Sequence, residues 1–273
     1  MKDRGLVDPY GRTINYLRIA VTNRCNLSCS YCVPSSGYSR SNIYQLTAEQ
    51  IVGCANAAAA LGFSKIRLTG GEVFLRDDIP EIVAELDRNP NINEICITSN
   101  GTLLEKNAAA LKKAGLDRIN IGLDTLCSDV FKRITQKDMF SDVLRGIDAA
   151  QREGLKVKIN FVVLERINDR EIGAMKAFCK QRKIGLQFIK RMDLNLGKQE
   201  GDSFVYDRPP RCQTCNKIRL TSDGFLLPCL FSVPTININK CGSFSEAIEE
   251  AVNLKPKNGY LTSQARHMID IGG

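Results

Sequence analysis

The chain has 273 residues, enough to bury a substantial hydrophobic core as one large α/β domain or as a domain with an extension. Its 43% hydrophobic and 25% charged residues are ordinary for a soluble globular protein. The formal net charge of +8 suits an anionic ligand or a solvated basic surface, but there is no Lys/Arg block and no Trp, so we do not expect nucleic-acid binding.

Hydropathy and cysteine content indicate a cytoplasmic protein. No stretch approaches the ~20 apolar residues of a membrane span, and the polar start at Met1 does not resemble a signal peptide. Six of the eleven cysteines fall into two groups with ligand-like spacing, so we expect metal ligands in a reducing compartment rather than disulfides. Four others lie in apolar or helical settings that favour simple packing: Cys54, Cys96, Cys127 and Cys179.

The first predicted strand, Tyr16–Val21, leads into the densest cysteine group of the chain. Cys25, Cys29 and Cys32 follow the pattern Cys-x3-Cys-x2-Cys in a loop that can turn three thiolates toward one point. Soft thiolates select iron–sulfur clusters, zinc or copper(I) over hard cations. Zinc would need a fourth protein ligand, whereas a [4Fe-4S] cube held by three cysteines leaves one iron open. A zinc knuckle and three unrelated buried cysteines are the alternatives to a cluster.

Strands and helices then alternate up to residue 189. Thr47 is the predicted N-cap of a helix, with Gln50 closing a capping box, and Gly62 ends that helix. The other predicted strands are 65–68, 94–97, 118–122, 157–163 and 185–189, and the other predicted helices are 79–88, 104–114, 128–134, 141–153 and 169–181. Six strands separated by helices predict a parallel sheet, although alternation alone does not separate an open doubly wound sheet from a partial barrel.

The pattern changes beyond residue 192, so we divide the chain into 1–192 and 193–273. Residues 193–211 form a predicted linker rich in Gly, Asp and Pro. A predicted hairpin, 218–227, returns Cys229 beside Cys212 and Cys215, which gives a second group of three thiols. From spacing alone this group fits a structural zinc with Cys241 or His267 as fourth ligand as well as a cluster. A last helix is predicted over 244–252.

The first cysteine group resembles the signature of the radical S-adenosylmethionine (SAM) superfamily. This resemblance implies a partial (β/α)6 barrel of the TIM type, with the reactive groups at the carboxyl ends of the strands. It also implies a [4Fe-4S] cluster whose open iron binds S-adenosyl-L-methionine, and cleavage of SAM to a 5'-deoxyadenosyl radical. The region after residue 192 is then a small C-terminal extension that binds a second cluster.

Further segments are similar to the GTP 3',8-cyclase family of molybdenum cofactor biosynthesis, over nearly the whole chain. These segments are Asp8–Arg12, Tyr16–Ile19, Arg67–Glu72, Val157–Asn160, Ile167–Asp169, Cys212–Thr221 with the later Cys-Leu-Phe, and the tail from Arg266 to Gly273. The resemblance implies a lyase that converts GTP to (8S)-3',8-cyclo-7,8-dihydroguanosine 5'-triphosphate. In that family the second thiol group holds another [4Fe-4S] cluster, whose open iron binds the purine.

Site residues follow from this resemblance, position by position. The implied cluster ligands are Cys25, Cys29, Cys32, Cys212, Cys215 and Cys229. The implied SAM-binding residues are Tyr31, Gly71, Glu72, Gly122 and Met192. The implied GTP-binding residues are Arg18, Arg67, Thr98, Lys158, Lys217 and Arg219, and the residues expected to support catalysis are Lys158, Arg219, Gly272 and Gly273.

The chain also departs from the family at several positions. Lys217 and Gln187 stand where the family has arginines, and a Lys for Arg loses the planar fork that binds phosphate. Lys190 replaces a glutamate, Gly122 a serine and Val73 a proline, and the segment between Met192 and Cys212 is several tens of residues short. These departures keep two alternatives open: a two-cluster radical SAM enzyme acting on another nucleotide, small metabolite or peptide, and a non-catalytic zinc- or iron-binding module.

The resemblance also bears on partners. It implies a small-molecule substrate, GTP, and an external electron donor such as flavodoxin or ferredoxin. We expect no nucleic-acid or membrane partner, and a homodimer remains open.

Overall fold

The computed structural model describes residues 5–32, 45–191, 206–207, 211–231 and 235–259. Met192, His267, Gly272 and Gly273 therefore lie outside the described residues, as does most of the predicted linker. Within the described ranges, no helix is both long and apolar enough to cross a membrane. All eleven cysteines are described, and each is a free thiol.

The described residues form eleven strands and seven α-helices. The strands are β1 (Leu6–Val7), β2 (Thr13–Ile14), β3 (Tyr16–Ala20), β4 (Lys65–Thr69), β5 (Glu94–Ser99), β6 (Arg118–Gly122), β7 (Lys156–Val163), β8 (Gly185–Lys190), β9 (Lys217–Leu220), β10 (Phe225–Leu227) and β11 (Ile236–Asn237). The helices are α1 (Ala48–Ala60), α2 (Ile79–Asp87), α3 (Ala108–Lys113), α4 (Ser128–Thr135), α5 (Phe140–Arg152), α6 (Ile172–Gln181) and α7 (Phe244–Asn253).

Nine of these strands form one sheet in the order β11-β10-β9-β3-β4-β5-β6-β7-β8. The predicted parallel sheet is confirmed, because β3 to β8 pair in parallel and in chain order, with helices in the connections. Among the described residues β8 and β11 have a strand on one side only, so the sheet is an open, partial barrel.

The C-terminal region extends this sheet. Strand β9 pairs in parallel with β3, on the side away from β4, and the hairpin β9–β10 is antiparallel as predicted. Helix α7 packs on α1, where a Cβ on Gly53 would stand 2.8 Å from the Phe244 ring. One sheet therefore contains strands from both sides of residue 192. The division of the chain into two domains at that residue remains a prediction.

The strands separate two environments by their two-residue period. On the outer face, apolar side chains pack against the helices in one core: Leu17, Ile19, Ile66, Leu68, Ile95, Ile97, Ile119, Ile121, Ile159 and Phe161. The alternate positions face a cavity and are polar: Arg18, Arg67, Thr98, Asn120, Asn160, Gln187 and Arg219. The interior of the barrel is thus a charged and hydrogen-bonding surface.

Helix α1 shows how local sequence fixes these elements. Its capping box is present as predicted, with the Thr47 hydroxyl accepting from the Gln50 amide and the Gln50 side chain accepting from the Thr47 amide. The chain leaves the helix through Gly62, which has a φ of +90°. The helix thus begins and ends where its own sequence dictates.

Candidate functional site

The first cysteine loop leaves the carboxyl end of β3 and is held by the loop that follows β4. The Gly71 amide donates to the Thr22 carbonyl at 2.8 Å, and the Glu72 amide donates to the Arg24 carbonyl at 2.7 Å. The backbones approach so closely that a Cβ on Gly71 would stand 2.1 Å from the Arg24 oxygen. Only glycine fits there, so the Gly-Gly-Glu sequence fixes the path of the cysteine loop.

Backbone and side-chain N–H groups point at the thiols of this loop. The Leu27 amide donates to Cys25 Sγ at 3.4 Å, and Asn100 Nδ2 donates to the same sulfur at 3.7 Å. Burial raises the pKa of the Cys29 thiol well above its usual range, and the charges of Asp124, Cys32 and Cys25 add to the effect. Three thiols that repel one another as thiolates suit a shared positive metal centre.

Tyr31 belongs to this loop and lines the cavity. Its hydroxyl donates to Asp124 Oδ2 at 2.6 Å, and Asp124 Oδ1 accepts from the Val162 amide at 2.7 Å. Burial raises the pKa of Asp124 to about 6 and raises that of Tyr31 well above its usual range. These bonds fix the ring of Tyr31 against the cavity.

The Glu72 carboxylate is fully buried and serves the protein itself. It accepts from the Ser99 hydroxyl at 2.8 Å, the Asn100 amide at 2.7 Å and the Phe74 amide at 3.1 Å. Burial raises its pKa to about 7. The side chain therefore joins the loops after β4 and β5, and a contact from Glu72 to a cofactor has to come from its backbone.

The second thiol group lies at the amino ends of β3 and β9, away from the first group at the carboxyl end of β3. Cys212 and Cys215 flank a short 3-10 turn that leads into β9, and the β9–β10 hairpin brings Cys229 back to them, as predicted. Burial raises the pKa of Cys229, with the charges of Cys215 and Cys212 adding to it. The Phe231 amide donates to Cys229 Sγ at 3.5 Å, so this group also carries N–H donors to sulfur.

Of the two candidate fourth zinc ligands, Cys241 has other contacts and His267 lies outside the described residues. Among the described residues, no three or more Cys, His, Asp or Glu side chains are arranged to hold a single metal ion. Zinc gathers four ligands at about 2.0–2.3 Å around one ion, whereas each thiolate of a [4Fe-4S] cluster binds its own iron. The Cys241 thiol instead donates to the Asn237 carbonyl and lies near Glu246 and Glu250.

A cavity of about 170 Å³ connects the two regions. Tyr31 of the first loop lines it together with all three thiols of the second group. The remaining polar lining carries many basic and amide side chains: Arg18, Arg67, Lys190, Arg191, Lys217, Arg219, Lys255, Asn120, Asn160 and Gln187. The first cysteine loop, through Tyr31, and the second thiol group therefore border one space.

Three arginines stand side by side on the wall of this cavity. In the strand register, Arg18 lies directly opposite Arg67 on one side and Arg219 on the other. Arg67 is held by the Tyr16 hydroxyl, at 2.5 Å from Nε, and by the Thr98 hydroxyl, at 2.9 Å from Nη1. Like charges directly opposite on neighbouring strands are destabilising. An anionic ligand in the cavity would offset this repulsion.

The other site residues predicted from the sequence fall in different places. Thr98 and Lys217 line the cavity, and the Lys217 ammonium lies 5.2 Å from the centre of the Tyr16 ring. Gly122 has open space beside it, since a Cβ there would meet only the Ser99 oxygen at 3.9 Å. Lys158 shares the inner face of β7 and pairs with Asn120, but it is not among the residues that line the cavity.

Sequence reasoning missed two amides at the cavity. Asn120 Nδ2 donates to Asn160 Oδ1 at 3.0 Å, while the buried Asn120 Oδ1 has no hydrogen-bond partner among the described residues. Both lie on the inner face of neighbouring strands, where Asn120 pairs with Lys158 of β7 and Asn160 pairs with Gln187 of β8. The signal was available, because polar residues at two-residue spacing within apolar strands mark the inner face.

Comparison with protein families and known proteins gives matches over most of the chain. The model of the radical SAM superfamily matches residues 19–179. A GTP 3',8-cyclase from Petrotoga mobilis is 34% identical over 325 positions, covering 98% of this chain and 100% of the relative. The enzyme of the same name from Clostridium acetobutylicum is 38% identical over 275 positions, covering 85% of this chain and 86% of the relative.

The Petrotoga alignment also bears on chain length. It is 325 positions long and this chain has 273 residues, so at least 52 positions are gaps in this chain. The sequence predicts a shortening of several tens of residues before Cys212, and the difference is of that size.

Solved structures support the fold. Native anSMEcpe with bound AdoMet has a TM-score of 0.65 and 18% identity, covering 89% of this chain and 81% of that chain. Streptococcus suis SuiB bound to S-adenosylmethionine has a TM-score of 0.67 and 17% identity, covering 89% of this chain and 64% of that chain. At this identity the likeness concerns the fold alone.

The close approach at Gly71 generates a prediction. In Gly71→Ala the new methyl would overlap the Arg24 carbonyl, so the cysteine loop must shift and the first thiol group loses its geometry. We expect iron bound after anaerobic reconstitution to fall by about half relative to the unsubstituted protein, as measured by iron and sulfide analysis. Gly173→Ala is the matched control, since a Cβ there meets nothing within 4 Å. Equal iron content in the two variants would contradict the role of Gly71.

Proposed function

The chain belongs to the radical SAM superfamily and, within it, to the GTP 3',8-cyclase family, and we propose that its two thiol groups hold two [4Fe-4S] clusters that face one bound GTP. The protein is a radical SAM lyase of the GTP 3',8-cyclase type. The single observation that carries the two-site proposal is the row of arginines on the wall of a cavity bordered by Tyr31 and by the second thiol group.

The residues present fit two clusters. Each group offers three soft thiolates and leaves one iron of a cube without a protein ligand. Each also has N–H donors directed at sulfur, Leu27 and Asn100 in the first group and Phe231 in the second. Hydrogen bonds to sulfur are one of the means by which proteins set the potential of such clusters. Cys25, Cys29 and Cys32 would hold the first cluster, and Cys212, Cys215 and Cys229 the second.

The SAM site would lie beside the first group, at the carboxyl ends of the strands. Tyr31 is fixed there by Asp124, and Gly71 keeps the neighbouring backbone close to the cysteine loop. The open space at Gly122 leaves room for part of the cofactor where the family has a serine. When bound, the first cluster and SAM would supply the 5'-deoxyadenosyl radical for hydrogen abstraction from C3' of the GTP ribose. The C3'–C8 bond that then forms leaves a nucleotide radical, for which the external donor would have to supply one electron, with a proton, to give the dihydro product.

The chain's own residues hold the substrate for this reaction. Arg18, Arg67 and Arg219 would bind the triphosphate, since guanidinium groups bind phosphate oxygens through paired hydrogen bonds. Tyr16 and Thr98 pre-orient the Arg67 side chain for that contact. Lys217 adds a point charge in place of the family's arginine, without the planar fork. Together these residues restrict the substrate to a strongly anionic molecule.

The amides would position the ribose. The buried Asn120 Oδ1 has no hydrogen-bond partner among the described residues, so it is ready to accept from a ribose hydroxyl at the cavity. Gln187 lies beside Asn160 and replaces a family arginine, which removes one charge, but Lys190 and Arg191 also line the cavity and supply positive charge nearby. The purine would then lie toward Cys212, Cys215 and Cys229, which would hold the second cluster, and that cluster's iron without a protein ligand would bind the base.

Two competing functions are less well supported. A zinc-binding module would leave the cavity and its row of arginines without a role. A divergent enzyme acting on another nucleotide would use the same arginines. The departures at Lys217 and Gln187 are the observations that favour this second hypothesis. Binding of GTP that perturbs the spectrum of the second cluster would count against it.

We also propose the cellular setting. Eleven free thiols and two oxygen-sensitive clusters suit the reducing cytoplasm. An external donor such as flavodoxin or ferredoxin would supply the electron. A homodimer is the remaining proposal about assembly.

The proposed activity can be tested directly. Anaerobically reconstituted protein, incubated with SAM, a reductant and GTP, should release 5'-deoxyadenosine and form the cyclised nucleotide, both detected by liquid chromatography with mass spectrometry. Omitting GTP, or replacing it by ATP, should remove the cyclised product and most of the 5'-deoxyadenosine. Equal release of 5'-deoxyadenosine without GTP would contradict the assignment of GTP as substrate.

The second thiol group gives a separable prediction. Cys229→Ala should bind about 4 Fe per chain instead of about 8, because one cubane site loses a ligand while the other is untouched. SAM cleavage driven by dithionite should persist, whereas GTP conversion should fall at least about 100-fold, since the base is no longer held. Cys127→Ser, at an exposed cysteine, is the control and should match the unsubstituted protein. Full GTP conversion by Cys229→Ala would rule out the proposed role of the second cluster.

A further inference from the structure

The segment Lys255–Gly259, which we call the strap, follows α7 and passes beside the second thiol group. Arg12 ties it there from the start of the chain: its guanidinium donates to the Pro256 carbonyl at 2.6 Å and to the Lys257 carbonyl at 3.2 Å. The same guanidinium donates to the Cys212 carbonyl at 2.9 Å. One side chain therefore joins the strap to the first thiol-bearing residue of the second group.

The other end of the strap reaches the last thiol-bearing residue. A Cβ on Gly259 would stand 3.5 Å from Cys229 Sγ and 2.8 Å from the Phe231 ring. Only a residue without a side chain fits between that sulfur and that ring. The strap thus borders the second thiol group at Cys212 and again at Cys229.

Lys255, the first residue of the strap, contacts the chain segments that carry Cys215 and Cys229. Its side chain is 3% exposed, and its ammonium donates to the Lys217 carbonyl at 2.7 Å and to the Pro228 carbonyl at 2.8 Å. Lys217 comes two residues after Cys215 in the chain, and Pro228 directly precedes Cys229. The ammonium therefore holds together the two chain segments that present Cys215 and Cys229.

The third partner of this ammonium is the Cys215 thiol. The ammonium is hydrogen-bonded to this thiol and lies close to its sulfur. No ion pair between Lys255 and a carboxylate occurs in the part of the chain that the structure describes. Burying an ammonium without a counter-charge is strongly unfavourable.

A cluster held by three thiolates supplies that counter-charge. We propose that Lys255 is a positioning residue of the second cluster, which holds Cys215 and Cys229 in place and offsets the negative charge of their thiolates. This inference rests on the second cluster of the proposed function. It also separates Lys255 from the arginines of the cavity: its three N–H groups already have partners in the protein, so it is not a phosphate ligand.

Two substitutions separate the two parts of this role. Lys255→Gln removes the charge but keeps an N–H donor for the carbonyls, so we expect both clusters to assemble and the midpoint potential of the second to fall. Lys255→Met removes the charge and the donors, so iron and sulfide should fall to about half, with the EPR signal of the first cluster unchanged. Lys112→Met, at an exposed lysine of α3, is the control and should match the unsubstituted protein in both measurements.

The measurements are iron and sulfide content after anaerobic reconstitution, and EPR-monitored redox titration of each cluster. About 8 Fe in every variant, with unchanged potentials, would overturn the role of Lys255 and leave the two-cluster proposal intact. About 4 Fe in the unsubstituted protein would instead overturn the two-cluster proposal. If Lys255→Met fails to fold, the potential of the second cluster in Lys255→Gln decides the question.

Discussion

The pairing of β9 with β3 is the constraint on which the site depends. These strands are about 200 residues apart in the chain, yet they lie side by side in parallel, with Tyr16 opposite Lys217 and Arg18 opposite Arg219. The first thiol group follows β3 and the second precedes β9. Because the two strands are parallel, this pairing places the groups toward opposite ends of the same strands, with the inner-face arginines Arg18 and Arg219 between them. Without it the two groups would belong to separate structures, and no shared cavity would exist.

The charges that line the cavity are the second constraint on the site. Parallel pairing places Arg67, Arg18 and Arg219 next to one another on one face, which is unfavourable until an anion binds between them. The thiol groups need compensating charge of the opposite sign, because clustered thiolates are stabilised by positive charge from metal and from nearby groups such as Lys255. A cavity with cationic walls and thiolate corners is therefore matched to an anionic substrate between two metal centres. The aliphatic outer face of the same strands supplies the packing that holds these charges in place.

Local features of the fold were predictable from the sequence, and long-range ones were not. The capping box at Thr47, the β9–β10 hairpin and the order of six parallel strands follow from short-range chemistry and periodicity. The two-residue strands β1, β2 and β11 are too short to leave a periodic signal. The spacing of Cys241 in the sequence was compatible with a role as fourth zinc ligand. Its tertiary contacts, which the sequence does not show, separate it from the second group. The sequence did not indicate a role for Lys255, because that role depends on the Lys217 and Pro228 carbonyls, which only the fold brings close to it.

The central claim is that a radical generated beside the first thiol group acts on a substrate that the arginines and the second group hold in the same cavity. GTP deuterated at C3' tests it most directly, with the 5'-deoxyadenosine product analysed by mass spectrometry after anaerobic turnover. If one cavity joins the two sites, the 5'-deoxyadenosine should carry one deuterium from C3'. Release of 5'-deoxyadenosine without deuterium, during formation of any product from GTP, would contradict the account.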